Sequence, residues 1–199
     1  MKNFGGILIT SDKLDRRKKY TRMVLKDSIM KLLKEKQISA VTVKEICELA
    51  DINRSTFYAH FSDQFNLLEQ IEEELIEDMS MYLSSYNFEK EDDALKMTEK
   101  LIEYFASKKD ECQTLLNENS DSSFQQKVMV VAHRFIMKNL MGVKPLDNDI
   151  SQYLSSFIIS GSIQVMKVWL NNGMDKSPKE MAEIINNIIN KGIYGLRSS

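Results

Sequence analysis

Residues that break or cross-link a chain are scarce in this sequence. Seven glycines and two prolines among 199 residues indicate long helices and few turns. The two cysteines, Cys47 and Cys112, cannot form a disulfide framework, so we expect a cytoplasmic protein. No apolar run approaches the roughly 18 residues of a membrane helix. The apolar stretch from Phe4 to Ile9 also lacks the cleavage site of a signal peptide. With 43% hydrophobic and 28% charged residues, the composition is that of a soluble globular protein.

Catalytic and metal-binding patterns are missing as well. The two histidines, His60 and His133, lie far apart in the sequence and have no adjacent acidic or cysteine ligand set. The sequence contains no glycine-rich phosphate loop, no nucleophile elbow and no Cys-His nucleophile pattern. We therefore expect no enzyme activity, no metal and no cofactor. An all-helical enzyme would need a catalytic constellation that the sequence does not offer.

The net charge of −2 argues by itself against a protein that binds nucleic acid, but the charge is unevenly distributed. From Lys13 to His60 there are twelve Lys and Arg against six Asp and Glu, a net charge of +6, so the rest of the chain carries −8. A basic end on an acidic body suits electrostatic contact with phosphates at that end only. Charge runs are usually solvated faces, so this pattern supports DNA binding without deciding it.

The most informative stretch lies between residues 42 and 68. It opens with a capping box, in which the Thr42 hydroxyl accepts from the backbone three residues on and Glu45 reaches back, so a helix starts here. Asp51 stands where this helix must stop, since aspartate tolerates the left-handed conformation better than most residues. Asn53 is a good N-cap for a second short helix. Between them, apolar residues follow at helical spacing: Val43, Ile46, Cys47, Leu49 and Ala50.

The second helix has an inner and an outer face. Phe57 and Phe61, four residues apart, form a core-facing pair. A short helix, a tight turn and a second helix with a polar outer face make a helix-turn-helix arrangement. In such an arrangement Thr and Ser reach base edges or phosphates, Arg reads guanine, and Tyr and His donate to phosphate oxygens. The spacing alone fits two packed helices with a solvated face equally well. The outer side chains are Arg54, Ser55, Thr56, Tyr58 and His60.

The identities of the residues in this stretch are more informative than the spacing of its apolar positions. The pattern Ala50-x-Ile52-x-x-x-Thr56-Phe57-Tyr58-x-His60-Phe61, followed by Leu67-Leu68, resembles the N-terminal DNA-binding region of the tetracycline-repressor (TetR/AcrR) family over residues 16 to 70. The resemblance implies a homodimeric transcriptional regulator, more often a repressor, that binds a palindromic operator in double-stranded DNA and that a small-molecule effector can release. The DNA-binding residues would then be Arg17, Lys18, Thr42, Lys44, Asn53, Arg54, Ser55, Thr56, Tyr58 and His60.

The sequence departs from the family pattern at three positions. Asp51 stands where glycine is usual, and Ser62 and Gln64 stand where lysine is common at the start of the fourth helix. The missing cations bear on the affinity for phosphate rather than on the fold. They leave open a second hypothesis, a TetR-like protein-interaction module or co-activator with weakened DNA binding, whose acidic body docks on a partner protein.

The chain as a whole predicts an all-α fold of about nine helices. Residues 1–14 show no periodicity and are expected to form a mobile N-terminal arm. Residues 15–62 are predicted to form the three-helix DNA-binding domain, and residues 63–199 a helical regulatory and dimerisation domain. An uninterrupted apolar pattern from residue 63 to about residue 84 predicts a rod about 33 Å long at ~1.5 Å per residue, which could act as a lever on the recognition helix.

The last two helices have the pattern of a dimer surface. Residues 149–172 are apolar on more than one face, so this helix must be covered on several sides. Gly173 should stop it, and Ser177-Pro178 should cap the final helix. The segment from Trp169 to Met181 is similar to the closing segment of some Gram-positive TetR-like proteins, in which the last two helices pair with their copies in a four-helix bundle. The alternative is that both helices simply complete a monomer core. The predicted interface comprises Phe157, Ile158, Gly161, Val165, Trp169, Ile184, Ile185 and Ile188.

The middle helices contain aromatic and flexible apolar residues. The family resemblance implies an effector pocket among them, and methionine suits adaptable pockets. Each residue taken singly is more often core than ligand contact. The candidate ligand-binding residues are Tyr82, Tyr86, Phe105, His133, Met137 and Met166.

Overall fold

The computed structural model describes the backbone of residues 5–86, 93–120, 123–140 and 148–197, and the side chains of residues 15–86, 95–120, 123–134 and 152–189. The described residues form nine α-helices and one 3-10 helix, with no strand, so the predicted all-α fold is confirmed. Within the same ranges no helix has both the length and the apolar character needed to cross a bilayer. The α-helices are α1 (Gly5–Leu33), α2 (Val43–Ala50), α3 (Arg54–Tyr58), α4 (Gln64–Ser84), α5 (Asp93–Ser107), α6 (Lys109–Leu115), α7 (Ser123–Leu140), α8 (Asn148–Asn171) and α9 (Pro178–Arg197), and the 3-10 helix is Ile38–Ala40.

The chain divides into two compact units. The first, called the head, comprises Met1–Glu73 together with Glu118–Asp121, and the second, called the body, comprises Glu74–Asn117 and Ser122–Ser199. Helix α4 begins in the head and ends in the body. The boundary that the sequence suggests, between residues 62 and 63, stays a prediction.

Helix α1 starts earlier than the sequence pattern suggests. It begins at Gly5, whereas the periodicity predicts an arm without helical structure up to residue 14. The physical reason is that no proline interrupts the chain between Gly5 and Leu33, so a helix can extend through a segment whose sequence has no apolar periodicity. The mobility of this segment stays a prediction, and residues 1–4 lie outside the described part of the chain.

The core of the head is built from α1, α2 and α3. Leu25 and Ile29 of α1, Ile46 of α2, and the aromatic pair Phe57 and Phe61 are all almost completely buried. Burying an aromatic or aliphatic side chain of this size contributes about 1.5–3 kcal/mol each, which is what holds so short a helix as α3 in place.

The segment that follows α6 is joined to the end of α1. The backbone N–H of Ile38 donates to the carbonyl oxygen of Asn119 at 2.9 Å. The side-chain amide of Asn119 donates in turn to the carbonyl oxygen of Leu33 at 3.1 Å, where helix α1 ends. These bonds satisfy backbone groups that the end of a helix leaves unpaired.

In the body, α5 packs against α9, and α8 packs against α6 and α7. Phe105 and Phe124 are buried, and the Tyr104 hydroxyl lies within hydrogen-bond distance of the Leu75 carbonyl oxygen (2.9 Å) and of Asp78 Oδ2 (3.2 Å). Burial and the Asp78 carboxylate raise the pKa of Tyr104, so its hydroxyl stays protonated.

The helix stop predicted at Gly173 and the helix cap predicted at Ser177 are both present in the structure. Helix α8 is followed by Gly173 in the left-handed conformation (φ 79°), where a Cβ would be strained. The backbone N–H and the hydroxyl of Ser177 both donate to Glu180 Oε2, at 2.8 and 2.7 Å. The backbone N–H of Glu180 donates back to Ser177 Oγ at 3.2 Å, completing a capping box at the start of α9.

Candidate nucleic-acid interface

Helix α2 is fixed at its start by the predicted capping box. The Thr42 hydroxyl oxygen accepts from the Glu45 backbone N–H at 3.3 Å, and Glu45 Oε2 accepts from the Thr42 backbone N–H at 3.0 Å. Lys36 Nζ donates to the other carboxylate oxygen of Glu45 at 2.5 Å. The Lys36 ammonium and the Thr42 donors lower the pKa of Glu45 to about 2, so the capping carboxylate stays ionised. The sequence predicts the capping box, but nothing in the sequence indicates that Lys36 pairs with its carboxylate.

The turn after α2 is made by Asp51 in the left-handed conformation. Its backbone angles are φ 54° and ψ 43°, and its N–H donates to the carbonyl oxygens of Cys47 and Glu48. The N–H of Ile52 donates to the same Cys47 oxygen at 2.9 Å. Asp51 therefore closes the helix where the family pattern has glycine, at the conformational cost that a side chain carries in this region.

Helix α3 is fixed by a cap at its start and by a buried aromatic pair. Asn53 Oδ1 accepts from the backbone N–H of Ser55 and from its hydroxyl, both at 2.9 Å, which confirms the predicted N-cap. Phe57 and Phe61 are buried, with their ring centroids 5.8 Å apart. Because the buried pair fixes the rotation of α3 about its axis, the opposite face is directed outward.

The outer side chains that the sequence singles out lie on α3, except His60, which lies in the turn after it because α3 ends at Tyr58 and is shorter than predicted. Arg54, Ser55 and Tyr58 are exposed, Tyr58 to 58%, while Thr56 and His60 are partly exposed. The Tyr58 ring stands edge-on against Phe57, with centroids 5.5 Å apart, so this contact restrains the ring although the side chain is exposed.

Exposed cations also lie on α1 and α2, and the charge of Lys18 on α1 is close enough to act on His60. Arg17 and Lys18 are exposed on α1, as is Lys44 on α2, whose ammonium lies 3.7 Å from Glu48 Oε1. An exposed pair of this kind is worth about 0–1 kcal/mol, so it holds Lys44 only loosely. Thr42 and Asn53 are also exposed.

Arg22 connects three elements of the head, a role that the sequence does not reveal. Its guanidinium lies 5.3 Å from the centroid of the Phe61 ring, and Nη2 donates to Gln70 Oε1 on α4 at 2.8 Å. Burial, followed by the positive charges of Arg22 and Lys18, lowers the pKa of His60 below its ordinary value of 6.5. A residue that joins elements distant in sequence leaves no local pattern, so only the structure could identify it.

Taken together, these features define a class of protein. Two short helices meet at a tight turn, the second helix is fixed by a buried aromatic pair, and its outward face combines a guanidinium, hydroxyls and an imidazole beside the basic residues of α1. This is the geometry of a helix-turn-helix regulator.

Comparisons with known protein families show which family of helix-turn-helix regulators the chain matches. The model of the "Bacterial regulatory proteins, tetR family" matches residues 26–71. A model described as "Transcriptional regulator C-terminal region", of the same family, matches residues 92–191. The chain therefore belongs to the tetR family of bacterial regulatory proteins.

Individual relatives agree with this assignment. The HTH-type transcriptional regulator YxbF of Bacillus subtilis (strain 168) is 32% identical over 59 residues, which make up 30% of this chain and 16% of that protein's length. A TetR transcriptional regulator from Streptococcus agalactiae 2603V has a similar fold (TM-score 0.70, 22% identity), with 90% of this chain and 98% of that chain covered. NalD, the secondary repressor of a multidrug efflux pump in Pseudomonas aeruginosa, also has a similar fold (TM-score 0.64, 15% identity, coverage 89% and 97%).

The residues predicted for the dimer interface divide into two groups. Phe157, Ile184 and Ile188 are exposed, to 74%, 38% and 60%, and Gly161 is exposed with open space around its Cα. Val165 is partly exposed, while Ile158, Trp169 and Ile185 are buried within the chain. The Trp169 indole N–H donates to the Lys176 carbonyl oxygen at 2.9 Å, so this residue also fixes the turn between α8 and α9.

An apolar groove of about 590 Å³ runs over α8 and α9. Six of the eight predicted interface residues line it: Phe157, Ile158, Gly161, Val165, Ile185 and Ile188. We name this surface the α8/α9 groove.

The residues predicted for ligand binding are not brought together around one cavity. Tyr82 and Tyr86 meet edge to face with centroids 5.3 Å apart, and the Tyr82 hydroxyl bonds Glu103 Oε2 at 3.0 Å. Phe105 and Met166 are buried in the core, and His133 is exposed. The side chain of Met137 lies outside the described residues. None of the five whose side chains are described lines the cavity between α4, α5, α7, α8 and α9, and the role of all six stays a prediction.

Among the residues that the structure describes, no group of three His, Cys, Asp or Glu side chains is arranged to hold a metal ion.

Proposed function

We propose that this chain is a cytoplasmic, non-enzymatic repressor that binds a palindromic operator in double-stranded DNA as a homodimer. One observation carries the proposal: the buried pair Phe57 and Phe61 directs Arg54, Ser55 and Tyr58 of α3 to solvent. An exposed short helix with this chemistry suits the DNA major groove, which admits a helix and presents donors and acceptors at its base edges.

Each side chain of the interface has a distinct proposed role. Arg54, Ser55 and Thr56 lie at the start of α3 and would read base edges. Tyr58 and His60 would donate to phosphate oxygens, which fixes register without reading sequence. A further group would touch the flanking backbone: Arg17, Lys18, Thr42, Lys44 and Asn53.

The homodimer is supported by the α8/α9 groove. Exposed Tyr153 and Phe157 (79% and 74%) and Ile188 (60%) make this an apolar surface of the kind that marks an interaction site. A second copy would cover it isologously and supply a second α3. Two recognition helices about 34–36 Å apart then meet two half-sites on one face of the duplex, which is why we propose a palindromic operator.

Release by an effector is the remaining part of the proposal. A ligand bound in the body would favour a conformation in which the two heads no longer match the half-site spacing. The cavity in the body gives such a ligand a place to bind.

The assigned roles can be tested with single substitutions in the full chain, using operators selected from random duplexes. Arg54→Ala should relax discrimination at one base pair, at a cost of about 1–3 kcal/mol on the preferred base. Tyr58→Phe and Lys44→Ala should weaken binding to all sequences alike. Lys179→Ala makes the same change of charge as Lys44→Ala, at an exposed position of α9 in the body, and serves as its control. Unchanged binding in all three head variants would rule out these roles.

A salt titration separates the repressor from a protein-interaction module that has lost its DNA affinity. Each phosphate contact should contribute about −0.9 to the slope of log affinity against log salt on random duplex DNA. A steep negative slope supports the proposal, and a slope near zero favours the interaction module.

A further inference from the structure

A small cavity lies inside the body, bounded by α4, α5, α7, α8 and α9. Its volume is about 60 Å³. Since a cavity needs about 10–15 Å³ of such volume per water-sized group, it has room for about four to six of them. The walls are mostly hydrocarbon, with the thioether side chains Met79 and Met97 on one side and Val128 and Val131 of α7 on another.

The lining sets the chemistry of an occupant. Among the thirteen residues with described side chains that line it, none is acidic or basic, and the polar groups are the hydroxyls of Thr98 and Ser162 and the amide of Asn186. Asn186 Nδ2 already donates to the Ala182 carbonyl oxygen at 2.9 Å, which leaves its Oδ1 as an acceptor. A charged ligand would lose its hydration here without gaining a counter-charge, whereas a hydrocarbon chain with one hydroxyl would lose little.

The cavity shares part of its wall with the α8/α9 groove. Ile158, Ser162, Ile185 and Ile189 line both. A ligand in the cavity therefore packs against the inner side of the residues that form the groove. Filling the space reduces the rotamer freedom of these side chains, so a second copy that docks on the groove has less freedom left to remove.

We propose that this cavity binds a small, uncharged, largely hydrocarbon molecule, and that its binding strengthens the pairing of two copies across the α8/α9 groove. The proposal rests on the proposed function for the role of the groove as a dimer face. The linkage is reciprocal, so pairing also raises the affinity for the ligand.

The test uses three probes of equal chain length that differ in charge: n-pentanol, n-pentylammonium and pentanoate. Methyl signals of Met79 and Met97, assigned through their Leu variants, should shift saturably with n-pentanol, while exposed Met23 in the head should not respond. Both ions should bind at least about 100-fold more weakly, the ratio expected when burial leaves a charge unpaired. Comparable binding of all three probes, or no saturable shift with any, would overturn the proposed ligand class.

A matched pair of variants locates the site. Ala132→Met fills the cavity and should weaken n-pentanol binding at least about tenfold. Val130→Met, on the same helix but with its side chain 61% exposed, should leave binding unchanged. Equal affinities in the two variants would place the ligand elsewhere. The comparison of probes is made on the unaltered chain, so it holds even if Ala132→Met fails to fold.

The coupling between ligand binding and dimer formation is tested by a separate measurement. Sedimentation of the full chain should give a dimer dissociation constant at least about threefold lower at saturating n-pentanol. An unchanged or higher constant would refute the linkage. None of these experiments contains DNA, so their failure leaves the salt-dependent DNA binding of the proposed function untouched, and loss of that DNA binding would leave the ligand result standing.

Discussion

Replacing Asp51 by glycine should stabilise the head, because Asp51 occupies a conformation that side chains resist. At φ 54° the left-handed region costs roughly 1–2 kcal/mol for a residue with a Cβ, somewhat less for aspartate. A negative charge at the C-terminus of α2 adds about 0.3–1 kcal/mol of unfavourable interaction with the helix dipole. The greater freedom of glycine in the unfolded chain offsets about 0.5–1 kcal/mol of this gain. The expected net stabilisation of Asp51→Gly is about 1 kcal/mol.

Two further substitutions separate these contributions. Asp51→Asn removes the charge but keeps a side chain that tolerates the left-handed region, so it should gain only the dipole part. Asp51→Ala also removes the charge but meets the full steric cost, so the two changes nearly cancel and stability should stay within about 0.5 kcal/mol of that of the unaltered head. The predicted order of stability is therefore glycine, then asparagine, then aspartate and alanine close together.

The assay must report on the head alone. The single tryptophan, Trp169, lies in the body, so its fluorescence does not follow the head. Hydrogen exchange of peptides covering α2 and α3 in the full chain measures the opening free energy where the substitution acts. If alanine proved as stable as glycine, the left-handed strain would not be the cause and the reasoning would fail.

The remaining predictions concern DNA affinity. Burial and nearby positive charges lower the pKa of His60, so its imidazole is largely neutral at pH 7. Contact with a negatively charged phosphate would raise that pKa. DNA binding should therefore strengthen as the pH falls through 6.5 and below. Fluorescence anisotropy across this range should lose that dependence in His60→Gln, and an unaltered pH profile in the variant would contradict the assignment. Adding lysines as Ser62→Lys and Gln64→Lys should steepen the salt slope by about 0.9 for each new phosphate contact, and an unchanged slope would mean that this segment lies away from the duplex.

The sequence predicts best what is decided over a few residues. Thr42 and Glu45 form the expected capping box, Asn53 caps α3, and Phe57 with Phe61 faces the core, because helix starts and faces depend on residues three or four apart. The residues of the same stretch that resemble the family pattern also predict the class of protein.

Contacts between distant elements are what the sequence could not predict. The spacing of Met79, Met97 and Val131 is that of ordinary core residues, and only the packing of five helices shows that a space remains between them. The contact of Arg22 with Phe61 and Gln70 likewise joins residues far apart in the chain. The prediction of the ligand residues rests on residue type, and type does not reveal which side of a helix faces a cavity.

The hydrogen bond from the Ser55 hydroxyl to Asn53 has a consequence for the base-reading role that we propose for Ser55. Its only proton is directed at Asn53 Oδ1, so as long as this bond holds Ser55 offers a base nothing but lone pairs. The partner on a base edge must then be an exocyclic amino group, of adenine or cytosine, and a thymine or guanine carbonyl would be refused. Methylation of that amino group would remove one of its two protons, so an operator position facing Ser55 could register the chemical marking of the genome as well as its sequence.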